Sequence, residues 1–181
     1  MPVATQQIPT GTWEDDAVHS TVGFAVKHMV VATFRGRFEE YDATLSVGED
    51  GEPRLVGTVA VDSLKVKDEN LAAHLRSPEF FDTDSHPELR FESTSFRQDG
   101  RDVVVDGELT IKGITRSVEA RGTVEEPIED PFGNTKLGLE LKAVVDRNQF
   151  GLEWNAPLPK GGMALADDVE LTVNLEFKKA A

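Results

Sequence analysis

Residues 169–178 alternate without a fault: Val169, Leu171, Val173, Leu175 and Phe177 fall on one parity, and Glu170, Thr172, Asn174, Glu176 and Lys178 on the other. Successive side chains of a strand point to opposite faces, so this segment has one dry face and one wet face. The same writing recurs through most of the chain. Over residues 18–28, Val18, Val22, Phe24, Val26 and His28 share one parity, against His19, Thr21, Gly23, Ala25 and Lys27. Residues 34–45 read as a second extended segment, with Gly36 between Arg35 and Arg37 as a bend or bulge. The turn Glu49-Asp50-Gly51-Glu52-Pro53 leads to a third over residues 55–62, with Val59 and Val61 opposite Thr58 and Ala60.

The period then changes. Residues 67–76 place Leu71 and Leu75 four apart, with Asp68 as a cap and Pro78 just past the end, which predicts one short amphipathic helix. A ragged aromatic stretch, Ser77-Pro78-Glu79-Phe80-Phe81-Asp82, is stopped by His86-Pro87. Strands resume at residues 89–96, and Asp99-Gly100 turns into residues 102–112, whose face carries Val103, Val105, Gly107, Leu109 and Ile111. Gly113-Ile114-Thr115 turns into residues 118–124; after the acidic loop at 127–134, Leu137, Leu139, Leu141, Ala143 and Val145 form another apolar face. A looser stretch around Phe150, Leu152 and Trp154 precedes the last strand.

The pattern predicts an all-β domain of roughly eight strands plus one short flanking helix, built as a sandwich or a barrel. A barrel removes the exposed edges that such strands otherwise present, and eight strands enclose room for one small ligand. The segment ending at Pro9-Thr10-Gly11 reads as a loose arm, which divides the chain into an arm at 1–11 and a barrel domain at 12–181.

At 181 residues the chain is long enough for one domain with a substantial core. Its net charge of −14 repels phosphate backbones, and no run of Lys and Arg reverses that locally, so nucleic acid is excluded as a partner. Docking on an anionic membrane surface is disfavoured for the same reason. The absence of cysteine rules out disulfides, thiolate metal sites and cysteine nucleophiles. The first residues lack the basic and apolar segments of a signal peptide, and no apolar run approaches a membrane span, so the expectation is a cytoplasmic protein without an integral membrane segment.

Three local patterns resemble the YceI-like family, also called polyisoprenoid-binding proteins. The first is Trp13, Asp16, His19-Ser20, then Val22 and Phe24, running into Ala25-Val26-Lys27-His28-Met29. The second is His74-Leu75-Arg76-Ser77-Pro78-Glu79-Phe80-Phe81-Asp82 followed by His86-Pro87-Glu88-Leu89-Arg90-Phe91-Glu92-Ser93-Thr94. The third is Gly107-Glu108-Leu109-Thr110-Ile111-Lys112-Gly113-Ile114-Thr115-Arg116, with the later Asp146-Arg147-Asn148-Gln149-Phe150-Gly151-Leu152. The resemblance runs over residues 12–177. It implies a lipocalin-like eight-stranded antiparallel barrel with a flanking helix, enclosing a long apolar chain such as a polyisoprenoid or a fatty-acid derivative, with homodimerisation as a further implication.

With the even face of residues 18–28 inward, Val22, Phe24, Val26 and His28 line the interior. The other strands would add Val103, Val105, Leu109 and Ile111, then Leu139 and Leu141, and Val173 and Leu175, while Phe34, Leu75, Phe80, Phe91, Phe150 and Trp154 are the large candidates for wall or mouth. Alternation alone favours reading these residues as a packed core; the resemblance reverses that and reads them as a ligand tunnel. Each buried methylene of a ligand is worth about 0.8 kcal/mol, against about 1 kcal/mol for a neutral hydrogen bond, so the tail would set affinity and polar residues only orientation. His28 closes an apolar face and could meet a ligand hydroxyl or carbonyl, or simply bond a backbone carbonyl. His19 lies nine positions from His28, an odd number, which opposes a zinc site on that strand; neither metal nor cofactor is expected. Arg147 beside Asp146 reads either as a structural ion pair or as a contact for an anionic head group.

The expected function is carriage or storage of a long-chain amphipathic lipid without catalysis, since four histidines, one tyrosine and no cysteine form no recognisable triad. The rivals are a lipid isomerase or cyclase using the same barrel, with His28 or a buried carboxylate as acid–base group, and a stress-responsive interaction protein whose barrel is filled by its own side chains.

Overall fold

The alternating segments pair into an antiparallel sheet that closes on itself. The structure, a computed structural model, describes residues 7–180. The strands are β1 (Gly11–Asp15), β2 (Thr21–His28), β3 (Ala32–Phe38), β4 (Tyr41–Val47), β5 (Pro53–Ala60) and β6 (Leu64–Lys65). After the helix α1 (Glu69–Arg76) come β7 (Glu88–Asp99), β8 (Asp102–Ile111), β9 (Ile114–Val124), β10 (Ile128–Glu129), β11 (Thr135–Asp146) and β12 (Leu165–Lys179).

These strands make eight staves, because three staves are interrupted and the two-residue β10 continues β9 along β11. β1 and β2 both run along β12, separated by a 3-10 turn at Ala17–His19. β3 and β4 are separated at Glu39 and Glu40, and β5 and β6 by a second 3-10 turn at Val61–Ser63. With each broken pair counted as one stave, chain neighbours are neighbours in the barrel, and β12 closes the ring by pairing with β11 on one side and with β1 and β2 on the other. The two later breaks sit side by side: the Glu39 amide donates to the Ser63 carbonyl at 3.2 Å. Beyond this level β6 pairs only with β3, because β7 begins at Glu88, opposite Ala60, and does not extend past the break. The gap is filled by α1 and residues 77–87. Arg76 Nη2 donates to the Leu64 carbonyl at 3.1 Å, tying the helix to β6.

The structure corrects the sequence reading in four places. The Asp16 carboxylate accepts the Val18 amide at 3.1 Å and winds the chain into the 3-10 turn, so the strand begins at Thr21 and Val18 is 86% exposed. Val61 belongs to a turn rather than to a strand. Gly36 makes no bend: it lies mid-strand in β3, where an added Cβ would fall 2.5 Å from Phe24 Cζ. A glycine there lets the Phe24 ring lie against the neighbouring strand. The expected helix starts two residues later than the spacing indicates, with the Asp68 carboxylate accepting the Leu71 amide at 2.9 Å as its cap.

The arm expected at 1–11 also changes. Residues 1–6 lie outside the described residues, but Ile8 is buried in the core, Trp13 Nε1 donates to the Pro9 carbonyl at 3.2 Å, and Gly11 already opens β1. Trp13, Leu45, Val103, Val105, Leu137 and Phe177, all essentially without solvent exposure, plug this end of the barrel.

Candidate ligand-binding site

The other end is open inside. A cavity of about 360 Å³ lies between β2 and β3, α1 with residues 77–87, and the stretch 147–165 that leads into β12. A second cavity of about 160 Å³ lies deeper, towards the packed end, and the two share Phe38, Leu89, Ile111 and Leu171 as walls. The larger alone falls within the roughly 300–1,000 Å³ range of small-molecule sites.

The walls follow from parity. On β2 the even face turns inward over its whole length: Val22 lines the deep cavity, and Phe24, Val26 and His28 line the outer one. Phe34, Leu75, Phe80, Phe150 and Trp154 also line the outer cavity. Phe91, Leu109, Leu141 and Val173 line the deep one, and Ile111 borders both. Leu139 does not: at 1% exposure it belongs to the plug, paired with Leu175 and Val124 two residues nearer the closed end, and it borders neither cavity. Its inward parity was legible, but the depth at which the barrel stops being hollow was not.

Sequence reasoning left several wall residues unassigned. Phe38 shares the parity of Phe34, and Leu171 that of Val173, so alternation held the signal for both. Phe81 carried none, because residues 77–87 have no period. Its ring meets Phe24 at 6.5 Å and Phe38 at 6.1 Å between centroids, edge-on in both cases. Near the helix, the His74 ring packs edge-on against Phe80 at 4.9 Å and Trp154 at 4.8 Å.

Polar groups on this wall are few. His28 ends β2 beside the turn Met29-Val30, where both residues take positive φ and leave Val30 and Val31 exposed. The His74 imidazole is engaged with Glu79 at 2.5 Å. Arg147 is 4% exposed and does not pair with Asp146, whose carboxylate instead accepts the amide and side-chain nitrogen of Asn148 at 2.9 and 3.0 Å. The guanidinium donates from Nε to the Ala166 carbonyl at 2.8 Å, and from Nη1 to the carbonyls of Leu152 at 2.6 Å and Trp154 at 2.8 Å. Arg147 thereby pins residues 152–154 against β12 and sets part of the cavity wall. Burial lowers its pKa from the ordinary value, while Asp167 and Asp146 act in the opposite sense.

A separate polar cluster lies outside the cavity at the β1–β2 break. His19 Nδ1 lies 2.9 Å from Asp16 Oδ2 and 3.1 Å from Glu176 Oε2, and Lys136 Nζ donates to Asp16 Oδ2 at 3.1 Å. Asp16, His19 and Glu176 are close enough to surround a cation, and the Lys136 ammonium already supplies positive charge there.

The YceI-like domain matches residues 13–177 of the chain. A UPF0312 protein of Staphylococcus aureus (strain N315) is 30% identical over 168 residues, covering 90% of this chain and 94% of the relative. Among solved structures, Burkholderia cenocepacia BcnA superposes with a TM-score of 0.75 at 21% identity, covering 90% of this chain and 98% of that one. A Campylobacter jejuni YCEI protein gives 0.73 at 19% identity, covering 86% and 90%. A polyisoprenoid-binding domain from Saccharophagus degradans, implicated in plant cell wall breakdown, gives 0.66 at 12% identity, covering 95% and 100%. A closed eight-stave barrel with a flanking helix, and a match to the domain over nearly its whole length, place this chain in the YceI-like family.

Proposed function

We propose that the protein binds a long-chain amphipathic lipid inside the barrel and carries or stores it without chemical change. The observation that carries this reading is the shape and lining of the interior: two adjoining cavities of about 360 and 160 Å³, walled almost wholly by hydrocarbon and stopped by a solid plug. Such a blind tube suits a chain that enters tail first. Ten methylenes buried there contribute on the order of 8 kcal/mol before the cost of association, so chain length rather than chain type governs affinity. The Saccharophagus degradans neighbour, described as polyisoprenoid-binding, supports a ligand of this class.

Native mass spectrometry of the freshly purified protein, followed by organic extraction, tests the proposal. A stoichiometric long-chain lipid supports it; an empty protein that also takes up no such lipid on titration refutes it. Phe24→Asp places a carboxylate in the outer cavity, where the ring now touches Phe34, Phe38 and Phe81. The folded variant is expected to lose uptake, and unchanged uptake would show that the ligand lies elsewhere.

A further inference from the structure

We infer that the open end of the barrel docks on a phospholipid bilayer, with the tip of the β2–β3 hairpin and the loop at 157–163 pressed into the head-group layer. The inference rests on the lipid-binding reading, since a bilayer is where such a ligand is taken up or delivered. Among the described residues eight large hydrophobic side chains are exposed, and four of them, Met29, Val30, Val31 and Met163, gather at this rim. The Met29 amide donates to the Ala164 carbonyl at 2.7 Å, which sets Met163 beside the hairpin tip, and Met29 itself lines the outer cavity. The exposed apolar patch is thus continuous with the cavity mouth, as an interaction surface serving that cavity would be. The tip is also strained. Met29 and Val30 take φ of 53° and 65°, a region that suits glycine or asparagine and opposes a β-branched residue. The turn holds a valine in the water where asparagine would fit the backbone better, and strain of this kind marks positions where the side chain has a use.

Charge identifies the occupant. Residues 17–38 and 154–166 contain no Asp or Glu, although 33 of the 181 residues are acidic. Lys27 and Arg35 lie on the outer face of the hairpin and Lys160 in the loop, all exposed and without a carboxylate partner among the described residues. The net charge of −14 repels a membrane only at close range, because physiological salt screens charges beyond about 8 Å. The rim therefore meets lipid phosphates with its own cations. Carboxylates return at Asp167 and Asp168, and on the helix side of the mouth at Asp68, Glu69 and Glu79, so the barrel tilts with the hairpin leading. A bilayer supplies both things the rim lacks: an apolar boundary for four side chains and phosphate oxygens for three cations.

Cosedimentation of the delipidated protein with vesicles of phosphatidylcholine and phosphatidylglycerol tests this, beside uptake of a neutral fluorescent lipid probe added in solution. The wild type is expected to bind the vesicles, more weakly as salt rises. Val30 and Val31 do not line the cavity, so Val30→Asn with Val31→Asn should keep probe uptake and keep or raise Tm. The same variant should bind vesicles about tenfold more weakly or worse, the worth of one valine withdrawn from water. Lys27→Glu with Lys160→Glu should weaken vesicle binding and flatten its salt dependence, again with uptake intact. Absence of vesicle binding by the wild type, or equal binding by the valine variant, overturns docking and leaves lipid binding standing. So does a dimer in sedimentation velocity that the valine variant dissolves while vesicles are ignored, because the patch would then be covered by a second copy. Failure of probe uptake by the wild type overturns the lipid-binding reading itself.

Discussion

Leu139 and Leu141 sit two residues apart on the same face of β11, yet they border different interiors, and truncating each to alanine separates plug from cavity. Leu139 is 1% exposed among plug residues; Leu141 is 3% exposed and lines the deep cavity of about 160 Å³. Either truncation removes three carbons, a transfer loss of about 2–2.5 kcal/mol. At Leu139 the void is new: a residual hole of roughly 50–80 Å³ adds about 1–2 kcal/mol. At Leu141 the missing atoms already faced empty space on one side, so the lost contacts are fewer and an existing cavity merely widens. The expected costs are therefore about 3–4.5 kcal/mol for Leu139→Ala and about 2–2.5 kcal/mol for Leu141→Ala. Urea denaturation of delipidated protein, with unchanged m-values, measures both. Equal costs, or a larger cost at Leu141, would mean that the deep cavity is closed by its own side chains, and the tunnel would lose its inner half.

Three further outcomes test the frame around the site. Hydrogen bonds from His19 and Lys136 hold the Asp16 carboxyl at about 2, below its ordinary 3.8. The stabilisation by ionised Asp16 is thus present above about pH 4 and lost as pH falls towards 2, and the Tm difference between wild type and Asp16→Asn should shrink over that window. The Asp16 hydrogen bond raises the His19 pKa from 6.5, with Asp16 and Glu176 adding charge attraction. Its contribution is present below pH 6.5 and lost as pH rises through the raised midpoint, which NMR titration of the imidazole checks; a midpoint at or below 6.5 would contradict the cluster. Gly122 faces Leu141 across the β9–β11 pair, and a Cβ there would overlap the backbone carbonyl of Glu140, which cannot swing aside. Gly122→Ala should cost at least the upper part of the roughly 1–3 kcal/mol range of overpacking, and a wild-type Tm would refute the register.

Period two reports which face is dry wherever the ladder is regular, so the inward residues of β8, β11 and β12, Val22, Phe24, Val26 and His28 on β2, and the eight-stave count were legible in the sequence. The Asp68 cap and the Leu71–Leu75 spacing likewise carried the helix. Local pattern does not report depth along the barrel axis: Leu139 and Leu141 are written alike, and only the convergence of Trp13, Leu45 and Phe177 from distant strands decides that one is plugged and the other borders space. Nor does it report where a stave breaks, since the turns at Ala17–His19 and Val61–Ser63 depend on side chains capping local backbone and on neighbouring staves breaking beside them. Phe81 joins the wall from a segment with no period. Arg147 was visible as a charged residue beside an aspartate, and the sequence suggested that pair as one of its two readings. Tertiary structure decided otherwise, because the carbonyls of Leu152, Trp154 and Ala166 converge on its guanidinium and take the bonds that an aspartate would have accepted.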